Sequence, residues 1–172
     1  MKATIKFEWL STEHDKTNHQ GGEYCEIDFD ELTHFSKTQF TYLFTRNRSV
    51  CGAPRTVAGT CNPDPDSWVR EFVEWYLLPS GTPDHDKRGY IRYWSQYKDN
   101  FVFGDTPEYI ESRYGIPAKD CKSYTFIYAT LDDNPALLKK DRNYIANLKL
   151  AGEAESAALL SGNWNIRRSG KI

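Results

Sequence analysis

The segment richest in chemistry is Cys25-Glu26-Ile27-Asp28-Phe29-Asp30-Glu31, where alternating apolar residues give way to two adjacent carboxylates. Period-two alternation places these residues on a strand, and ligands in open α/β sheets bind beyond the carboxyl ends of strands. Asp30 and Glu31 would therefore stand at the mouth of a site. An aspartate there can hold Mg²⁺ through oxygen, and a neighbouring glutamate can orient or deprotonate an attacking water. Two acids at a strand end also suit a merely solvated turn, so a second segment has to add weight. Thr56-Val57-Ala58-Gly59-Thr60-Cys61-Asn62-Pro63 again ends in polar groups, one helical stretch after the acidic pair. A parallel strand, helix, strand unit sets Thr60 and Asn62 beside Glu31, where neutral polar groups can sense a phosphate and pass its loss onward. The plain alternative is that residues 62–65 are only a turn.

Other residue patterns point elsewhere. Glu26, Asp28 and Asp30 lie at i, i+2 and i+4 on one strand face, which suggests a divalent metal for nuclease or transferase chemistry as a competing reading. Arg46 and Arg48 close a helical stretch and could meet DNA phosphate, although helix C-termini favour cations for dipole reasons alone. Cysteines 25, 51, 61 and 121 contain no C-x-x-C pair and suit buried free thiols, and His14, His19, His34 and His85 are equally scattered.

The elements that must position these residues follow from composition and periodicity. The chain has 172 residues, 39% apolar and 27% charged, with a net charge of -2, which suits one folded domain and excludes a global basic field. Aromatics make up 15% of the residues, so the predicted core is aromatic rather than leucine-rich. Nothing approaches the apolar run of a membrane span or a signal peptide, which gives a soluble, cytoplasmic expectation. Alternation predicts strands over 4–10, 24–29, 56–61, 90–96 and 122–128. Ser36 with Gln39 has capping-box spacing and predicts a helix over 36–46. Trp68, Val69, Phe72, Val73 and Tyr76 predict a helix over 67–78 whose aromatic stripe is core. Thr106, Pro107 and Gly115 occupy the preferred cap positions of another helix. Residues 11–22 read as a loop. Leu137, Leu138, Tyr144, Ile145, Leu148, Leu159 and Leu160 fit short helices broken near Gly152 and Gly162, ahead of a loose basic tail.

An ordered series of these segments resembles the large terminase subunit of tailed bacteriophages. It runs through Gln20-Gly21-Gly22-Glu23-Tyr24, Ile27 to Phe35, Thr60-Cys61-Asn62-Pro63, Asp133-Asn134-Pro135, Tyr144 to Leu148 and Gly162-Asn163-Trp164-Asn165-Ile166. The resemblance implies an α/β fold: a partial P-loop ATPase core with a mainly parallel sheet flanked by helices, followed by a small helical linker. It divides the chain into residues 1–130 (the C-terminal part of the ATPase domain), 131–166 (linker) and 167–172 (basic tail). It implies a part of the motor that uses ATP and Mg²⁺ to drive double-stranded DNA into a procapsid. Asp30 matches the Walker B magnesium ligand, Glu31 the catalytic glutamate, and Thr60 with Asn62 the coupling motif. The implied partners are DNA, other terminase subunits in a homo-oligomeric ring, the small subunit and the portal of the procapsid, all in the host bacterial cytoplasm and without a membrane.

Three departures qualify that implication. No Gly-x-x-x-x-Gly-Lys-Ser/Thr occurs, so the phosphate-cradling amides and lysine are missing and the isolated chain is expected to bind ATP poorly and to be inactive. The nuclease carboxylates that follow Gly162-Asn163-Trp164 in the family do not appear, so the sequence reads as a middle fragment, with a catalytically silent assembly piece as an alternative. Asp28 and Glu26 make the Walker B strand alternate where a buried parallel strand is continuously apolar, so one face is expected to meet water. Asn18-His19-Gln20 occupies the stretch where some relatives carry an arginine finger, and none is assigned.

Overall fold

The structure, a computed structural model, describes residues 3–130, 133–140, 143, 150 and 153–167. They belong to two compact units, Met1–Asn62 and Pro63–Ile172.

The first unit holds β1 (Glu26–Phe29), α1 (Lys37–Phe44) and β2 (Thr56–Gly59). β1 and β2 pair in parallel, Glu26 opposite Thr56 and Phe29 opposite Gly59, which α1 makes possible by carrying the chain back to the starting edge. Ser36 starts α1 as the spacing predicts: the Gln39 amide donates to Ser36 Oγ at 3.0 Å and the Ser36 amide to Gln39 Oε1 at 2.9 Å. The helix buries Phe40 and Leu43, and Phe29 of β1 meets Phe35 and Phe40 at centroid distances of 5.2 and 5.6 Å. The expected strand over 4–10 is absent. Ile5, Phe7 and Trp9 are 81, 90 and 79% exposed, and their alternation finds no pairing partner among the described residues. Within the predicted loop, Asp15–His19 forms a short 3-10 turn.

The second unit corrects the expectation of a mainly parallel sheet. Its sheet is antiparallel, in the order β4 (Asn100–Gly104), β3 (Arg92–Tyr97), β5 (Lys122–Tyr124). Tyr97 pairs with Asn100 across the turn Lys98-Asp99, a connection too short to return a strand in parallel. β4 has no counterpart among the predicted elements because Phe101-Val102-Phe103 is a continuous apolar run, without the alternation that marks a half-buried strand. The predicted 67–78 helix is shorter than expected: α2 (Arg70–Val73) tightens into a 3-10 turn over Glu74–Tyr76. Its stripe is core, with Phe72 within 5.4 Å of the rings of Trp94, Phe101, Phe103 and Tyr124. α3 (Pro107–Tyr114) has the predicted ends, Thr106 accepting the Tyr109 amide and Gly115 at φ 71°.

Further helices are α4 (Pro135–Lys140) and α5 (Glu153–Ser161), the latter followed by Gly162 at φ 63°. Trp164 is only 2% exposed, and its carbonyl accepts from Arg70 Nη1. Tyr144, Ile145, Leu148, Gly152 and residues 168–172, all singled out in the sequence, lie outside the described residues. No helix among the described residues is long and apolar enough to cross a membrane.

Candidate functional site

Hydrogen bonding between the two parallel strands runs past their formal ends. The Thr60 amide donates to the Phe29 carbonyl at 2.9 Å, and the Leu32 amide returns to the Thr60 carbonyl at 2.7 Å. Asp30 and Glu31 are thereby held against Thr60 and Asn62, at the rim where the sequence places them. Gly59 matters to this closeness, since a Cβ there would lie 2.9 Å from Leu32 Cδ2.

Glu31 ends the extended run by adopting φ 56° and ψ 59°, a left-handed conformation that costs a non-glycine residue about 1–2 kcal/mol. Side-chain bonds compensate. Asn62 Nδ2 donates to both carboxylate oxygens of Glu31, at 3.0 and 3.2 Å. The Glu31 amide donates to Thr60 Oγ1 at 3.2 Å, and that same hydroxyl donates to Asp30 Oδ1 at 2.8 Å. Four side chains about thirty positions apart in sequence thus form one connected polar network. Asp30 and Thr60 are exposed, while Glu31 and Asn62 are half-buried. Between Thr60 and Asn62, burial and then the Glu31 charge push the Cys61 thiol up to about 11, so it stays neutral beside the carboxylates.

The chemistry follows from those exposures. Asp30 keeps a carboxylate facing water, which suits a hard cation that retains several waters of its own. Glu31 has its oxygens fixed by one neutral donor, an arrangement that aims a carboxylate without neutralising it.

The competing metal reading does not gain geometry. Glu26 and Asp28 are exposed on one face, but successive residues of a strand face lie about 7 Å apart, too far for three to share one ion. No group of three or more His, Cys, Asp or Glu among the described residues is placed to hold a metal. That exposed face does match the water-facing side expected from the alternation of β1.

Arg46 and Arg48 stand just beyond α1. Arg46 is half-buried with its guanidinium 4.9 Å from the Tyr42 ring centre, whereas Arg48 is exposed and donates from Nε to the Thr45 carbonyl at 3.0 Å. Neither joins the network. His19, within the stretch Asn18-His19-Gln20, is buried with Nδ1 3.1 Å from Tyr24 Oη. Burial first, and then the Lys6 charge, lower its pKa.

The sequence reading missed the twist at Glu31 and the double role of the Thr60 hydroxyl. A left-handed glutamate carries no sequence signature, since that conformation is normally announced by Gly or Asn. The Gly59 and Leu32 contact was available only as a small residue before a polar one.

Over residues 2–172 the chain matches the family described as terminase large subunit, T4likevirus-type, N-terminal. Neither a curated protein nor a solved structure matches it.

Proposed function

We infer that this chain, which belongs to the family of T4likevirus-type large terminase subunits, contributes the water-activating and coupling groups of an ATP-driven motor that packages viral DNA. Glu31 orients the attacking water, Asp30 is the side chain that would hold Mg²⁺, and Thr60 with Asn62 relay the state of the site. When bound, Mg²⁺ would neutralise charge on the transferring phosphoryl group. Asp30 suits that ion because Mg²⁺ needs only one or two carboxylates beside phosphate and water.

The observation that carries this reading is the pair of hydrogen bonds from Asn62 Nδ2 to Glu31. A donor shared between two carboxylate oxygens holds the group turned in one direction, as a general base requires. A water donating to either carboxylate oxygen, or a phosphate oxygen accepting from the Asn62 side-chain amide, would change this pair of bonds. Asn62 is also the last residue of the first unit and Pro63 opens the second, so that change enters the chain at the start of the next unit.

These 172 residues contain no phosphate-loop motif, so on this reading the amides that cradle ATP come from other residues of the motor. The chain alone would bind ATP weakly and hydrolyse none. The P-loop type of core, the partition at residues 130 and 166, and the partners (double-stranded DNA, further terminase subunits and the portal of the procapsid, in the host cytoplasm) belong to the same proposal. Its test is Glu31→Gln in a complete motor. Hydrolysis should be lost while nucleotide binding, followed by titration calorimetry with ATP and Mg²⁺, stays intact; undiminished turnover would overturn the assignment.

A further inference from the structure

We propose that Cys25 and Cys51 form a dithiol site that reacts with small disulfides, closing a reversible covalent brace across the β1, α1, β2 crossover. Backbone geometry anchors the loop that carries Cys51 beside Cys25. The Arg48 amide donates to the Tyr24 carbonyl at 3.0 Å and the Thr56 amide to the Cys25 carbonyl at 2.9 Å. Both ends of the loop over 49–55, which carries Cys51, are thus pinned to adjacent residues, 24 and 25, so that loop starts and ends beside Cys25. Asn47 reinforces the clamp, its Nδ2 donating to the carbonyls of Tyr24 and Cys25 at 3.1 and 2.9 Å.

The four thiols also differ in reactivity. Cys51 is exposed, with Ser49 Oγ 3.7 Å from its sulfur. The Ala53 backbone amide, then the Ser49 hydroxyl and the Cys25 thiol, favour its thiolate and lower its pKa. Cys61 is pushed up to about 11 and Cys121 is raised, both by burial first. Since the thiolate is the nucleophile, Cys51 attacks first and half-buried Cys25 resolves.

With oxidised glutathione the balance is complete. The Cys51 thiolate attacks one glutathione sulfur, the glutathione disulfide breaks, and one glutathione leaves as thiolate. The Cys25 thiolate then attacks Cys51 in the mixed disulfide, releasing the second glutathione. Two protein thiols are oxidised, one small disulfide is reduced, and the two protons pass to the leaving thiolates or to buffer.

Intact-mass and peptide analysis of the full chain treated with oxidised glutathione tests this. The expected product is about 2 Da lighter than the reduced chain and yields a linked Cys25 and Cys51 peptide. Cys25→Ser should instead trap glutathione on Cys51, a gain of about 305 Da, and Cys51→Ser should give neither product. Stable glutathione on Cys51 of the unaltered chain, a linkage through Cys61 or Cys121, a disulfide between two chains, or no reaction would each overturn the proposal. None of these outcomes bears on the role of Glu31, so the two readings fail separately.

Discussion

Glu31 and Phe72 are the hubs of two very different neighbourhoods. Phe72 sits among aromatic rings, where area removed from water and edge-to-face contact do the stabilising. Glu31 sits at the end of a two-stranded ladder with one face open to water, held by hydrogen bonds and a left-handed backbone. The contrast teaches that one hub is held by packing, whereas the other is held by hydrogen bonds on a strained backbone. Residues kept in sparsely populated conformations persist where surrounding bonds over-determine them, and such places tend to be functional.

Breaking each hub should therefore give different symptoms. Phe72→Ala removes the common partner of several rings and should cost about 3 kcal/mol, read as a lower denaturation midpoint and a diminished near-ultraviolet aromatic signal. Asn62→Ala should cost less, about 2 kcal/mol, because it leaves a half-buried carboxylate without its side-chain donor. Its larger consequence belongs to the complete motor, where hydrolysis should fall together with DNA movement.

A pair of glycine substitutions sharpens the comparison, because the described residues contain two non-glycine positions at positive φ, Glu31 and Lys98, both at 56°. Lys98 occupies the β3 to β4 turn, and Lys98→Gly should raise stability by about 1 kcal/mol by relieving the same backbone strain. Glu31→Gly relieves it too but forfeits the bonds to Asn62, so its net gain in urea unfolding should be smaller. An equal gain at both positions would mean that the Asn62 bonds contribute little.

The smallest effect is on pH. His19 has a lowered pKa, so the unfolded chain takes up its proton first on acidification. Stability attributable to the neutral ring is present above the ordinary histidine value near 6.5 and is lost as pH falls from there through the lowered folded value. Urea midpoints measured between about pH 7.5 and about pH 5.5 should decline, and His19→Gln should flatten the decline.

The parts of this molecule legible in its sequence were those written in local chemistry. Ser36 with Gln39, and Thr106 with Pro107 and Gly115, specified their helices because caps act within one turn. The adjacency of Glu31 and Asn62 followed from one crossover rule applied to two strands ending in polar residues. What escaped was non-local. Ile5, Phe7 and Trp9 alternate like a strand, yet alternation supplies a face and not a neighbour to pair with. β4 hid in an apolar run, and the antiparallel sheet came with it. The twist at Glu31 was hidden for another reason: tertiary bonds impose it on a residue that would not choose it.

Thr60 offers one last consequence. Its hydroxyl carries a single proton, spent on Asp30 Oδ1 while the lone pairs serve the Glu31 amide. A newcomer claiming that aspartate oxygen would set the hydroxyl free to rotate, yet the Thr60 main chain would remain clipped to Phe29. On the proposed function, the rim would contain a rotor on a fixed mount, whose orientation would record whether Asp30 is engaged. Valine, equal in shape and mute in hydrogen bonding, would erase that record without moving the mount.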